Sequence, residues 1–378
     1  MTAKDIVLVE PGVHLTQGHY REKLMLWLEG FQRAGWNVSV ACLQAPEPEF
    51  LPGVNFKPVL RRVKRQPNRF LILWLVFRTY WLAFQLARRS DQSVLGLTTS
   101  TLLPVGAAYL ISNGRKLFFG QVVMNGNRFD KSNNAFRRYL EGKILNFLLR
   151  SGVLLFPNTE QTRQSILRRV NNQTHTRQIL TLNDPIRVPV VQTPSKPFDN
   201  VLLVPGPDDY RKAPLLHLLQ SKLANPPRSV WIHAPGGIGS DIVDQIAQTC
   251  TVRVLDRYES PESFAGLFAS ATWCLVAYRP TFLQGSGLLA QAVVGDTPVL
   301  SSHFPYAEEL FQKYGRLGEL FDFGDMSDFA RAWDKLRNWT LQQWQEFHEA
   351  SARFRADVNA TRVVQTVVNL FSGSNATG

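Results

Sequence analysis

Cysteine is scarce in this chain, and the three present, Cys42, Cys250 and Cys274, are isolated. Without a CxxC pair the sequence supports neither a disulfide framework nor a zinc site, and a reducing compartment fits it best. The opening residues, MTAKDIVLVEPG, lack an apolar core behind a basic start. They read as a first strand rather than a signal peptide, so a cytoplasmic protein is expected and the NxT triplets at Asn172, Asn338, Asn359 and Asn375 count as chance matches. No helix-turn-helix, RNP-type or zinc pattern is present either, which makes nucleic acid a poor partner despite a basic balance.

What the chain does have is length, apolar content and a lopsided charge. Its 378 residues exceed the usual single core, and with 44% hydrophobic residues two domains of roughly 150 to 200 residues are the default reading. The net charge of +12 belongs entirely to residues 1–150, where 21 Lys and Arg face nine acids. Its densest piece is Arg61-Arg62-Val63-Lys64-Arg65, followed by Arg69, the run FLILWLVFRTYWLAFQLA at Phe70 to Ala87, and Arg88-Arg89. Three readings of that run stand side by side. A membrane span would place Arg78 near its centre at a cost of about 2.5–3.5 kcal/mol. An internal helix would let Arg78 snorkel to the surface. A peripheral helix would sit with its basic neighbours on an anionic membrane face.

Strands and helices alternate along the chain. Ile6 to Val9 is a short apolar run, Gly12 to Gly18 is a glycine-containing loop, Tyr20 to Ala34 has helical periodicity, and Val38 to Cys42 returns to strand. Such a βαβ unit implies a parallel sheet covered by helices. Further strands are expected at Val94 to Leu97, Lys116 to Phe119 and Val153 to Phe156, with helices at Asn134 to Arg150 and Thr159 to Val170. Ile186 to Asp199, rich in proline and polar residues, reads as a linker. A second series follows, with strands at Asn200 to Pro205, Ser229 to His233, Thr251 to Leu255, Trp273 to Ala277 and Pro298 to Ser301. Helical patterns at Pro214 to Leu223, Ser240 to Thr249, Pro261 to Ser270 and Leu288 to Val294 lie between them.

Within this second series, TFLQGSGLLAQAVVGDTPVLSS at Thr281 to Ser302 opens an apolar helix on a Gly-Ser-Gly turn and continues into a strand. Helix-start amides and the positive end of the helix dipole favour anions. Arg211 and Lys212, just after the strand at Asn200 to Pro205, add full positive charge, so together these residues suit a doubly negative phosphate group held without a metal. Asp208-Asp209 could be taken for a metal-binding carboxylate pair, but beside Pro207 and ahead of a helix a turn and capping role is the better reading.

These stretches resemble the GT-B glycosyltransferases of the group that acts on bacterial cell-surface polysaccharides and glycolipids. Gly18-His19-Tyr20 with LMLWLEGFQRAGWNVSV is similar to that family's glycine loop and first helix, and LFPNTEQT at Leu155 to Thr162 to the end of its N-terminal domain. VPGPDDYRK at Val204 to Lys212 resembles the start of its nucleotide-binding domain, and Tyr258 to Leu300 the stretch leading to its donor loop. The resemblance implies an α/β fold of two Rossmann-like, doubly wound parallel-sheet domains facing across a cleft: an acceptor-side domain at 1–190, a nucleotide-sugar domain at 191–355, and a C-terminal helix at 356–378 crossing back. It implies glycosyl transfer from a nucleotide-sugar donor to a glycan acceptor, lipid-linked in the membrane-facing version, with no metal and no cofactor.

Donor contacts would come from Gly18, Arg211, Lys212, Gln284, Gly285, Ser286, Gly287 and Gln291, with His14 and His19 as weaker acceptor or sugar contacts. An anionic membrane surface at the inner face is a candidate partner through residues 61–89. Many retaining relatives carry two glutamates around the donor loop, where this chain has Gln284 and Gln291. Amides hydrogen-bond hydroxyls but cannot act as bases, so stereochemistry stays open and a catalytically silent GT-B-like scaffold is the alternative. Asp130, Glu141 and His19 are unranked candidates for a base.

Overall fold

Short apolar strands that alternate with helices hide both faces of each strand, which suits parallel sheets covered on both sides. The computed structural model has this architecture, and it describes residues 4–12, 20–47, 51, 53–60, 69–90, 92–98, 101–114, 117–124, 135–170, 173–186, 188, 200–206, 208–209, 211–257, 259–282 and 284–373. The chain divides into two compact units, Met1–Pro185 with Val358–Gly378, and Ile186–Asp357. Most of the stretch read as a linker, residues 187 and 189–199, lies outside the described residues.

In the first unit the strands are β1 (Lys4–Val9), β2 (Trp36–Cys42), β3 (Asn55–Pro58), β4 (Ser93–Gly96), β5 (Phe119–Val123) and β6 (Leu154–Pro157). They stand in the order β3-β2-β1-β4-β5-β6, every pair parallel. The second unit repeats the plan with β7 (Val201–Val204), β8 (Ser229–His233), β9 (Thr251–Leu255), β10 (Trp273–Val276), β11 (Val299–Ser302) and β12 (Gly318–Phe321). Its order is β12-β11-β10-β7-β8-β9, again all parallel. In each sheet the winding reverses beside the first strand, between β1 and β4 and between β7 and β10. Connections leave such a switch point toward opposite faces, so a crevice opens at the carboxyl ends of the two strands, and ligands bind there in doubly wound folds.

Helices α1 (Tyr20–Arg33), α2 (Arg69–Ser90), α3 (Leu103–Ile111), α4 (Ala135–Arg150) and α5 (Glu160–Leu167) cover the first sheet. The second has α6 (Pro214–Gln220), α7 (Ser240–Ala247), α8 (Pro261–Ser270), α9 (Gly287–Val294), α10 (Pro305–Tyr314), α11 (Met326–Arg337) and α12 (Leu341–Val358). The last helix, α13 (Ala360–Gly373), belongs to the first unit. It packs so closely on α1 that a Cβ on Gly30 would run into Val364. Its Phe371 ring meets Phe118 at 4.6 Å, edge to face, and lies near Phe31 and Trp36.

Among the described residues α2 alone is long and apolar enough to span a membrane by length and composition. Leu75, Thr79, Tyr80, Ala83, Phe84 and Ala87 nevertheless form a buried stripe at helical spacing, and Tyr80 donates to the buried Gln121 at 2.7 Å. From Leu75 to Ala87 it is a core helix. Arg78 stays outside over the rings of Trp74 and Trp81, at 5.2 and 5.5 Å, as a snorkelling residue would. The first turns differ, leaving Phe70 85% and Trp74 48% exposed.

The fold departs from the sequence expectations in a few places. The edge strand β3 and helix α3 carry no expectation, and neither does anything after Ser302 up to the last helix. β5 begins only at Phe119, because Gly114 and Leu117 close a turn through a 2.8 Å hydrogen bond where a strand from Lys116 was expected.

Candidate functional site

The connection after β7 is shaped by its acids. Asp208 accepts the Leu215 and Leu216 amides at 2.8 and 3.0 Å, capping the first turn of α6 as a carboxylate ahead of a helix should. Asp209 folds the loop back on itself. One oxygen takes the Arg211 and Lys212 amides at 2.6 and 3.1 Å, and the other takes the Arg211 guanidinium at 2.8 and 3.2 Å. Burial tends to raise Asp209, but the Arg211 bonds outweigh it and hold the carboxyl below its ordinary value. Asp208 is raised, because burial outweighs the two amides it accepts. Both carboxylates therefore organise the loop, and the Arg211 guanidinium is already paired with Asp209.

Lys212 stands differently. Its ammonium lies 3.4 Å from the Pro205 carbonyl and against Gly206, whose φ of +127° favours glycine. No carboxylate among the described residues forms an ion pair with it. Burial, the largest influence, pulls Lys212 below the usual lysine value, with Arg211 adding to the effect and Asp209 opposing it. A partly desolvated cation with no ion pair among the described residues gains from an anion that reaches it.

The neighbouring connection, after β10, pairs with this loop. Ala213 donates to the Ala277 carbonyl at 2.9 Å, Arg279 donates to the Arg211 carbonyl at 2.8 Å, and Lys212 bridges Tyr278 between them. Tyr278 is held by its ring, stacked on Phe282 at 4.2 Å and packed against Phe304 at 5.1 Å. Burial raises its phenol, and interaction with the Ser286 hydroxyl partly offsets that. Ser286 in turn caps α9, accepting the Leu289 amide at 3.2 Å. The adjacent amides of Gly287 and Leu288, in the first turn, have no acceptor among the described residues.

Lys212, Tyr278, Ser286, Gly285 and Gly287 thus share the β7/β10 switch point. Gln291 is buried one turn along α9 and Gln284 is half-buried before it; neither amide makes a hydrogen bond among the described residues. Behind them Cys274 is buried in β10, which pushes its thiol up and leaves it chemically quiet.

One residue the sequence reading passed over lies beside this group. His233, the last residue of β8, is 8% exposed, packs on Phe264 at 5.0 Å, and keeps Nε2 buried without a partner among the described residues. Burial holds it below the ordinary histidine value, the Arg257 carbonyl and Glu259 oppose that, and Lys212 adds to it. A histidine ending a strand ahead of Gly236-Gly237 was its only signal in the sequence.

The β1/β4 switch point carries an acid. Glu10 is wholly buried at the end of β1, where Thr98 donates to both oxygens at 2.8 Å and the Gly12 amide to one at 2.9 Å. Burial raises its carboxyl to about 7, and the Thr98 and Gly12 bonds and Lys23 only partly oppose this. Lys23 itself pairs with Asp184 at 2.8 Å. Nearby Cys42 is pushed up to about 12, first by burial and then by Glu10. Glu10 was also passed over, although an acid directly after IVLV is visible in the sequence. Of the base candidates, Glu141 is buried and caps α3, accepting from Thr101 and from the Leu102 amide. Asp130, His14, Gly18, His19 and the basic cluster at 61–65 lie outside the described residues.

No family model matches the chain, and a search among curated proteins finds no match. Solved structures do match over its whole length. A glycosyltransferase from Rickettsia africae aligns over 100% of both chains at 11% identity with a TM-score of 0.73. Sucrose-phosphate synthase from Thermosynechococcus elongatus covers 99% of this chain and 100% of its own, at 14% identity and a TM-score of 0.72. Anabaena HepE, solved in complex with UDP-glucose, covers 98% of this chain and 99% of its own, at 12% identity and 0.63. With two six-stranded parallel sheets wound in the same order and such neighbours over the full chain, this protein has the GT-B fold.

Proposed function

We propose that the chain is a glycosyltransferase that moves a sugar from a nucleotide-sugar donor to a glycan acceptor without a metal. The observation that carries this is the pairing of Lys212 with Tyr278, next to the Ser286 cap, at the β7/β10 switch point. A fold shared with a protein solved bound to UDP-glucose supports the same reading. When the bond between a sugar and a diphosphate breaks, negative charge grows on the leaving phosphate and positive charge on the sugar ring. Lys212 and the Gly287 and Leu288 amides would meet the departing charge, and cations and amides fixed beforehand lower such a barrier without reorganising. Arg211 contributes less, being held by Asp209. Gly285 keeps the loop slim before α9, Gln284 and Gln291 offer amides to sugar or ribose hydroxyls, and Gly18, His14 and His19 remain proposed contacts for donor and acceptor.

The acceptor side of the proposal follows from charge. A lipid-linked acceptor at the inner membrane face would account for the basic excess in residues 1–150 and for the bare apolar start of α2, within the proposed contact region 61–89, and it fits a role in surface-polysaccharide synthesis. Turnover of a panel of nucleotide sugars in the presence of chelator is the test. One donor should be hydrolysed or transferred by the wild type and scarcely by Lys212→Ala; equal rates from the two proteins would remove the proposal. The second reading, a silent scaffold that binds a nucleotide, is favoured by Gln284 and Gln291 standing where carboxylates are common. Its signature is nucleotide binding that Lys212→Ala weakens, with no turnover of any donor.

A further inference from the structure

The face of α4 turned toward the end of α5 borders a groove of about 920 Å³ that shares no lining residue with the β1/β4 switch point. Five cations line it, Arg138, Lys143 and Arg150 from α4 and Arg168 and Arg169 beyond α5, and among the described residues no carboxylate does. Arg138, Lys143 and Arg150 have no ion-pair partner among the described residues. Lys143 sits over the Tyr139 ring at 5.3 Å, and Asn146 ties the two walls together by donating to the Arg169 carbonyl at 3.1 Å. From Arg138 to Arg150 the helix rises about 18 Å, longer than a single phosphate needs.

The surroundings decide what kind of anion such a groove would meet. Of the nine large apolar side chains most exposed among the described residues, all but Leu341 lie on α2, α3 and α4. Phe70 and Trp74 on α2, Leu110 and Ile111 on α3, and Phe136 and Tyr139 on α4 are the clearest. These helices are neighbours: Phe84 of α2 packs on Tyr109 of α3 at 5.5 Å, and Glu141 of α4 caps the start of α3. Exposed aromatic and aliphatic side chains on the layer that borders this basic groove match a bilayer surface with its headgroups.

We propose that the α4–α5 groove is a headgroup slot for an anionic lipid carrying two phosphates. This rests on the reading of the chain as a membrane-surface enzyme and adds a specific site to it. A headgroup with one phosphate engages fewer of these cations than a doubly phosphorylated one does.

Flotation of the full chain with phosphatidylcholine vesicles containing cardiolipin, set against vesicles containing phosphatidylglycerol at equal total charge, tests the slot. The wild type should bind the cardiolipin vesicles about ten-fold more tightly at low salt. Arg138→Gln/Lys143→Gln/Arg150→Gln should lose that preference and about a hundred-fold in affinity, with its thermal melt unchanged. Equal binding of the two vesicle types by the wild type overturns the slot, and so does a triple variant that keeps the preference. Phe70→Ser/Trp74→Ser separates the slot from the broader membrane reading, since it should weaken binding to both vesicle types alike while the preference survives. If the wild type ignores every vesicle, the membrane reading falls. Retention of tripolyphosphate by the wild type and not by the triple variant would in that case overturn the lipid source in favour of a soluble polyanion.

Discussion

The two sheets share one strand order yet place opposite charges at their switch points. After β1 comes Glu10, sealed from water and bonded by Thr98 and Gly12. After β7 comes the loop of Lys212, half-buried and without a carboxylate partner among the described residues. Topology makes a crevice in both units, but the side chains that follow the first strand decide what enters it. On the proposed function, the Lys212 crevice takes an anion. The Glu10 crevice repels one when the acid is ionised and tolerates one when it is not, and its carboxyl, raised to about 7, stands close to that boundary at neutral pH.

The largest expected effect tests the cationic side. Lys212→Ala should lower kcat/KM for the active nucleotide sugar by roughly a hundred- to a thousand-fold, as loss of one fixed oxyanion-type donor does. Steady-state kinetics with a circular dichroism control would measure it. A drop of only a few-fold would mean that the two switch points do not differ in the way argued.

Next comes the acidic side. The folded-state value of Glu10, about 7, lies above its ordinary 4.5. Its contribution to stability is therefore fully present below pH 4.5 and is lost as pH rises through 7, because the folded state alone keeps the proton in that window. Glu10→Gln, which keeps acceptors for Gly12 and Thr98, should remove that slope and stabilise the protein at alkaline pH by roughly 3 kcal/mol at most. Urea unfolding across this window reads the difference directly. An unaltered slope would show that the buried acid is not the group responsible.

Smaller effects sharpen the local picture. Ser286→Ala should cost about 1 kcal/mol through the lost cap of α9 and lower the melting temperature of the second unit by about 2–4 °C, with Ser286→Gly milder. Arg211→Ala should be weakest, under about five-fold in kcat/KM, because Asp209 already holds an exposed guanidinium and such pairs contribute little. If Arg211→Ala proves as damaging as Lys212→Ala, the pairing with Asp209 must give way when donor binds.

Much of the architecture could be read residue by residue. Buried parallel strands are uninterrupted apolar runs, so Ile6 to Val9 and Trp273 to Ala277 announced themselves, and Asp208 signalled its cap by standing ahead of a helix. Edge strand β3, Asn55–Pro58, gave no such sign because only β2 pairs with it and half its surface faces water, which allows Asn, Lys and Pro. Phe70 to Ala87 could not be resolved from periodicity alone. It is apolar nearly all round, and only packing distinguishes the face from Leu75 to Ala87 from the bare turns before it. Glu10 and His233 were visible as polar residues ending apolar runs, but their burial, and hence their altered acidity, comes from neighbours distant in the chain.

By itself the sequence determined the alternation of strands and helices, the concentration of positive charge in residues 1–150, and the Gly-Ser-Gly start of α9, all of which are local matters of residue type and spacing. The tertiary structure alone decided that β7 lies beside β10, and with it that Lys212 meets Tyr278 next to Ser286. It also decided that Arg211 is taken up by Asp209 and that five cations border one groove. Those facts depend on which strands pair and which helix faces are left uncovered, and such choices are made by long-range burial that no short stretch of chain encodes.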